Sequence, residues 1–287
     1  MAVECVIKNA TKTIGEGPHW DELTSTLLYL DIHENSIHRL NPETNVADKI
    51  KLEDTVGFVV PARKGGLIAG VGCFLVHVNW DTKKVTKLHE VDKETRFNDG
   101  KCNPKGRVWT GTYGAIDPDV ENMPKIGSLY CLDLDGNYNI NQFSYQNDGY
   151  WGLSLYMLLN LRFLFVANQK VIVDNAGKPL PDFGFPDGMT IDTEGKLWVA
   201  CFLASKVVRY DPQTGQQLHT VKFPALRITS CCFGGKNLDE LYVTCSAHEV
   251  SEEEFQKYPL TGSVFKVKGL GVKGSKAQIY EGEIKEG

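Results

Sequence analysis

Short runs in which apolar and polar residues alternate recur along the whole chain, each built on an aromatic or β-branched triplet. The triplets are Leu28-Tyr29-Leu30, Leu67-Ile68-Ala69, Val108-Trp109-Thr110, Leu164-Phe165-Val166, Leu197-Trp198-Val199 and Leu241-Tyr242-Val243. Their centres step by 39, 41, 56, 33 and 44 residues. Period-two alternation over such lengths predicts half-buried or buried strands rather than helices. A second alternating run follows each triplet, as in Ile37-His38-Arg39-Leu40, Leu75-Val76-His77-Val78 and Val207-Val208-Arg209-Tyr210. Several of these second runs end in turn residues, such as Asn41-Pro42-Glu43-Thr44, Asp135-Gly136-Asn137 and Asp211-Pro212-Gln213-Thr214-Gly215, which predicts hairpins.

Most units add a run before the first strand and a polar outer run, for example Val85-Thr86-Lys87-Leu88 or Gln217-Leu218-His219-Thr220-Val221. Four strands in about 40–45 residues is the pattern of propeller blades, which bury their faces by stacking on one another. The fold expected is an all-β, six-bladed β-propeller in a single domain, 1–287. A two-sheet sandwich would also give alternating runs, but the recurrence of one strand order favours the propeller. Only nine residues, three of them proline, separate Asn175-Ala176-Gly177 from the next unit at Asp187, so the fourth blade is expected to be truncated. Ser251-Glu252-Glu253-Glu254 ahead of Phe255 reads as a capping box and predicts a helix.

In a propeller the first strands of the blades line the axis, so residues at their openings converge although they are distant in sequence. Those openings read Gly15-Glu16-Gly17-Pro18, Arg96-Phe97-Asn98-Asp99-Gly100, Trp151-Gly152-Leu153, Phe185-Pro186-Asp187-Gly188 and Thr229-Ser230, and three of them place a carboxylate directly before glycine. Taken singly, Asp-Gly is a turn signal. Gathered at one point, the carboxylates would repel one another unless a cation lay between them. A hard divalent ion with oxygen ligands (Ca²⁺, Mg²⁺ or Mn²⁺), or Zn²⁺, meets that need.

Composition narrows the chemistry further. The net charge of −5 gives no basic excess for a nucleic-acid backbone, and 42% apolar residues suffice for a core, which excludes a mostly disordered chain. The first residues show no export signal. The most apolar stretch, Leu153 to Ala167, is broken by Asn160 and Arg162 and is too short to span a bilayer, so no membrane partner is expected. Eight cysteines include no C-x-x-C pair and lie in strand-like runs, which suggests reduced thiols and a cytoplasmic location. The sequence holds no G-x-S-x-G elbow, H-E-x-x-H helix or P-loop. Gly269-Leu270-Gly271-Val272-Lys273-Gly274 fits G-x-G-x-x-G, but too little chain follows it for a βαβ unit. The adjacent Cys231 and Cys232 should point to opposite faces of a strand and so cannot share a metal.

These motifs together are similar to the regucalcin (senescence marker protein) and gluconolactonase family. They are Gly15-Glu16-Gly17-Pro18-His19-Trp20, Arg96-Phe97-Asn98-Asp99-Gly100-Lys101, Pro186-Asp187-Gly188-Met189-Thr190-Ile191-Asp192, Thr229-Ser230-Cys231-Cys232-Phe233-Gly234-Gly235 and the terminal glycine-rich run. The resemblance implies one divalent metal on the axis and hydrolysis of sugar lactones. It makes Glu16 and Asp187 metal ligands, with Asp187 also the general base, and Arg96 and Asn98 the pair that contacts the substrate. The implied mechanism has the cation polarise the lactone carbonyl while water attacks, with no covalent nucleophile. The family's third ligand is an asparagine before Gly-Leu, where this chain has Trp151, and indole offers no lone pair. Asn147, or the neighbouring Asp148, would supply the missing oxygen if the strand start has slipped; otherwise Asn147-Asp148-Gly149 is a turn. The family's acidic residue after Gly-Thr-Met is also displaced, since Asp117 here follows Gly111-Thr112-Tyr113-Gly114-Ala115-Ile116.

The leading expectation is therefore a metal-dependent lactonase acting on a small-molecule sugar lactone as a monomer or weak dimer. A non-catalytic calcium-binding regulatory propeller is the alternative, and a metal-free protein-interaction propeller the third.

Overall fold

The computed structural model describes residues 1–114, 127–141, 173 and 180–285. The chain opens with β1 (Ala2–Ile7) and then builds antiparallel sheets of sequential strands. The first sheet is β2 (Gly15–Asp21), β3 (Thr26–Asp31), β4 (Ser36–Asn41) and β5 (Val46–Lys51). The second is β6 (Val56–Pro61), β7 (Leu67–Val71), β8 (Phe74–Val78) and β9 (Val85–Glu90), and the third is β10 (Thr95–Cys102), β11 (Val108–Gly114), β12 (Leu129–Leu132) and β13 (Tyr138–Asn141). A four-residue helix, α1 (Leu180–Phe183), precedes the next sheet, β14 (Phe185–Ile191), β15 (Leu197–Phe202), β16 (Lys206–Tyr210) and β17 (Gln217–Lys222). The last sheet is β18 (Ile228–Gly234), β19 (Glu240–Cys245), β20 (Val264–Lys268) and, as its outer strand, β1.

The fold is an all-β propeller, and its blade count corrects the expectation of six. Among the described residues there are five four-stranded blades. Each has three or more hydrogen-bonded pairings, and the final blade closes by pairing β1 with β20, Ala2 opposite Lys268. The six-fold count included the Leu164-Phe165-Val166 and Val171-Ile172-Val173 runs, for which no outer strand could be found in the sequence. Those runs lie outside the described residues except for Val173; of the nine residues expected to truncate that blade, 180–186 are described and form α1, Gly184 and the first two residues of β14. The capping box forms as expected: α2 (Glu252–Lys257) begins after Ser251, whose hydroxyl accepts from the Glu254 amide at 3.1 Å. No described helix is long and apolar enough to cross a membrane.

The chain divides into two compact units. One contains Met1–Glu34, His38–Lys49 and Phe165–Ala277, and so holds most of the first blade and all of the last two. Here the last blade is covered on both faces. On one side Trp198, Val207 and Val221 of the preceding blade pack with Cys231, Phe233, Val243 and Phe265. On the other, Trp20 stacks on Tyr242 with centroids 5.5 Å apart, beside Tyr29, Leu40 and Cys232. Cys231 and Cys232 thus enter different cores, as strand alternation requires.

The other unit contains Asn35–Ile37, Ile50–Leu164 and Gln278–Gly287. Its core joins the second and third blades through Phe58, Val60, Ile68, Phe97, Val108 and Tyr130. The C-terminal stretch is fastened to the same core by Tyr280, which is fully buried and donates its hydroxyl to the Asp133 and Glu283 carbonyls at 2.8 and 2.9 Å.

Candidate functional site

Every blade begins with a strand whose pairing register breaks once, near its opening. The breaks lie between Glu16 and His19, Val56 and Phe58, Phe97 and Gly100, Pro186 and Met189, and Ile228 and Ser230. In three of them two residues oppose one: Gly17-Pro18 opposite Tyr29, Asn98-Asp99 opposite Gly111, and Asp187-Gly188 opposite Ala200. A bulge of this kind turns side chains out of the ladder and is common beside functional sites. Glu16, Arg96, Asn98 and Asp187 all sit in such a bulge or within two residues of it. The acid-glycine pairs are therefore bulges within strands, not the turns that the dipeptides suggest in isolation.

Local chemistry explains why the bulges hold. Glu16 folds its carboxylate back so that Oε2 accepts from the Gly17 amide at 2.6 Å, and Gly17 takes a positive φ of 56° that favours glycine. Asp99 Oδ1 likewise accepts from the Gly100 amide at 2.7 Å, while the Thr110 hydroxyl donates to the Asp99 carbonyl at 2.8 Å. The opening Val56-Gly57-Phe58 was not singled out in the sequence because it carries no polar side chain. Its role is steric: a Cβ on Gly57 would lie 2.3 Å from the Phe97 carbonyl oxygen, so only glycine lets the β10 bulge come so near.

In the first unit, β18 packs against both β2 and β14. The contacts run through one dipeptide. Thr229 donates its hydroxyl to the Gly15 carbonyl at 2.5 Å, and Ser230 fills the space beside Gly188, where an added Cβ would lie 2.0 Å from its Oγ. Thr229-Ser230 is thus bracketed by the backbone just before Glu16 and just after Asp187. The charge of Asp187 is felt by Cys201, in the register position opposite Pro186: burial chiefly, and Asp187 in addition, push that thiol up to about 11.

The strands flanking β18 carry Glu16 and Asp187, and an ion site there would draw on carboxylate, hydroxyl and backbone oxygens, a hard donor set. That set fits Ca²⁺, Mg²⁺ or Mn²⁺ better than a thiolate- or imidazole-seeking ion. Among the described residues no three His, Cys, Asp or Glu gather as a ready-made metal cluster. Asn147, Asp148 and Trp151 lie outside the described residues.

In the second unit Arg96 stands directly across the ladder from Tyr113, with its Cζ 4.6 Å from the phenol ring centroid. Burial raises the Tyr113 hydroxyl above its ordinary pKa, against the opposing charge and hydrogen bond of Arg96. Arg96 Nε is buried and has no hydrogen-bond partner among the described residues.

Comparison with known proteins agrees with this frame. The family described as SMP-30/Gluconolactonase/LRE-like region matches residues 14–148 and 164–247. Regucalcin of Danio rerio is 40% identical over 98% of this chain and 99% of its own, and regucalcin of Homo sapiens 34% identical with the same coverage. Among solved structures, a luciferin-regenerating enzyme superposes with a TM-score of 0.83 at 31% identity, covering 98% of this chain and 99% of its own. A calcium-binding protein, regucalcin from Agrobacterium tumefaciens, gives 0.80 at 22% identity over 98% and 97%, a likeness of fold. The chain belongs to the SMP-30/gluconolactonase/LRE-like family.

Proposed function

We propose that this protein hydrolyses sugar lactones with the help of one divalent metal ion held by Glu16 and Asp187. The observation that carries the reading is the bracketing of Thr229-Ser230 by Gly15-Glu16 on one side and Asp187-Gly188 on the other. It sets two acid-bearing strands on either side of two hydroxyls, oxygen donors suited to a hard ion and an activated water. When bound, the ion would supply Lewis acidity to the lactone carbonyl. Asp187, turned out of its ladder by the bulge, takes the proton of the attacking water. Glu16 carries its Oε2 on the Gly17 amide, which fixes the carboxylate's orientation. Arg96 and Asn98, by family resemblance, bind the ring hydroxyls or carbonyl and orient the substrate. Lactonase chemistry is in keeping with the family description and with neighbours of the same fold described as gluconolactonases.

The test is turnover of an aldonolactone by purified protein with Ca²⁺, Mg²⁺, Mn²⁺ or Zn²⁺ added in turn. Opening that requires metal and is lost in Asp187→Ala supports the reading; no turnover with any of the four ions removes it.

A second reading, a non-catalytic calcium-binding regulatory propeller, is favoured by one feature of the sequence: Trp151 where the family places a ligating asparagine. Relatives named regucalcin, one of them described as calcium-binding, are in keeping with it. Calcium binding in calorimetry by a protein that turns over no lactone would select this reading.

A further inference from the structure

Tyr113 follows Gly111-Thr112 in β11, and the structure gives it a neighbour that matters. Arg96 and Tyr113 are cross-strand partners on β10 and β11, so their side chains rise from the same face of the sheet. The next residue, Phe97, goes to the opposite face and anchors β10 in the core against Phe58 and Tyr130, with centroids 5.7 and 6.4 Å away. The base of Arg96 is therefore fixed. Its guanidinium lies over the Tyr113 ring at 4.6 Å and is hydrogen-bonded to the phenol oxygen. A contact of this kind draws the guanidinium to the ring and restricts the directions its remaining N–H groups can take.

One of those donors is unmatched. Arg96 Nε is buried, and no acceptor among the described residues reaches it. A desolvated guanidinium with a free donor is costly unless an anion meets it. The ligand that matches a planar pair of N–H groups best is a carboxylate, which accepts two parallel hydrogen bonds where a ring hydroxyl accepts one.

We propose that Tyr113 is a positioning residue that holds Arg96 edge-on to the substrate, and that this chain accordingly prefers sugar lactones carrying a second, ionised carboxylate over neutral aldonolactones. The proposal rests on the lactonase reading for its substrate class, but its test does not depend on turnover.

Two cyclic ethers without a lactone carbonyl serve as probes: 1,5-anhydroglucitol, which is neutral, and the same ring oxidised to a carboxylate at C6. In calorimetry the acid should bind the wild-type protein at least about tenfold more tightly than the neutral ether, the size of one charge-assisted hydrogen-bond contact. Tyr113→Leu should erase that preference while leaving the neutral ether's affinity within about twofold, whereas Arg96→Gln should erase it and weaken the neutral ether as well. Tyr113→Phe, which keeps the ring face, should retain part of it. A purely structural role for Tyr113 would weaken both ethers alike. Equal binding of the two ethers by the wild type, or parallel loss of both in Tyr113→Leu, overturns the proposal. Discrimination between the ethers by a protein that opens no lactone would leave this inference standing and remove the lactonase reading. Metal-dependent opening of lactones with no discrimination would do the reverse.

Discussion

Gly188 and Ser230 are packed so tightly that a Cβ on the glycine would lie 2.0 Å from the serine Oγ, 2.4 Å from its Cβ and 2.8 Å from its Cα. The close approach joins β14, which carries Asp187, to β18. Gly188→Ala must therefore push the two strands apart, since the nearest atoms include backbone as well as a hydroxyl. The expected cost is about 1–3 kcal/mol, typical of overpacking a filled interior. Ser230→Gly in the same background removes two of the three clashing atoms and should restore part of the loss. Thermal unfolding of the three variants, alongside metal-dependent turnover, checks both effects.

Ion binding should also register as stability. Glu16 and Asp187 lie on strands of different blades, and an ion that bridges them binds only the folded chain. At a free concentration one hundred times its dissociation constant, such an ion adds about 2.7 kcal/mol. Treatment with a chelator should lower the melting temperature, and Ca²⁺, Mg²⁺ or Mn²⁺ should restore it. In Asp187→Ala the ion should have little effect on the melting temperature. A wild-type melting curve indifferent to chelator and to all three ions would count against the shared site.

The strand pattern was legible because the apolar triplets fall inside β3, β7, β11, β15 and β19, the second strand of each blade, where both faces are covered. Alternation at such positions survives any choice of partner. The blade count was not legible at Leu164 and Val171, where period-two runs alone were taken as a blade; pairing, not periodicity, defines one. The closing strand was missed for a related reason. Half of Ala2–Ile7 is exposed and none of it is fully buried, and its partner, Val264–Lys268, lies at the other end of the chain, so nothing local announces it. The candidate carboxylates stand out in the sequence as acid-glycine pairs, but their geometry does not. Asp-Gly spells a turn in isolation, and only the register of β14 on β15 shows that Asp187 and Gly188 together face Ala200. Tyr113 escaped notice because a tyrosine in a strand is ordinary packing until Arg96 is seen above it.

His38 should make the protein sensitive to mild acid. It is buried and stacked on Tyr29 with centroids 4.7 Å apart. Burial lowers its pKa from 6.5 to about 4, with Lys49 acting in the same direction and Asp31 and Glu34 opposing. The folded chain therefore holds His38 neutral while the unfolded chain protonates it near 6.5, so acidification favours unfolding. Stability from this group is complete above pH 6.5 and falls as the pH drops toward about 4. His38→Phe keeps the stack and removes the proton, so its melting temperature should be flatter than the wild type's across that window.

Asp192 governs a lower window. Its carboxylate is fully buried and accepts four hydrogen bonds, from Arg209 Nε at 2.7 Å, Trp198 Nε1 at 2.9 Å, and the Lys196 and Glu194 amides at 2.9 and 3.0 Å. Burial alone would raise its pKa, but the bonds from Arg209, the Lys196 amide and Trp198, with the charge of Arg209, outweigh it and hold the group below the ordinary 3.8. Here the folded chain keeps the carboxylate charged where the unfolded chain has begun to protonate. The stabilisation is present above 3.8 and is lost as the pH falls through the lower, folded-state value. Asp192→Ala would strand the Trp198 indole and leave Arg209 with Glu194 alone, at a cost of about 3–5 kcal/mol, as expected for breaking one side of a buried ion pair. Asp192→Asn keeps the shape but cannot titrate, so it should unfold more easily at neutral pH and lose less on further acidification. Melting curves taken from pH 7 to pH 3 should then separate the two groups. His38→Phe should flatten the upper part of the profile and Asp192→Asn the lower, and a wild-type profile unchanged by either substitution would show that neither group carries the acid sensitivity.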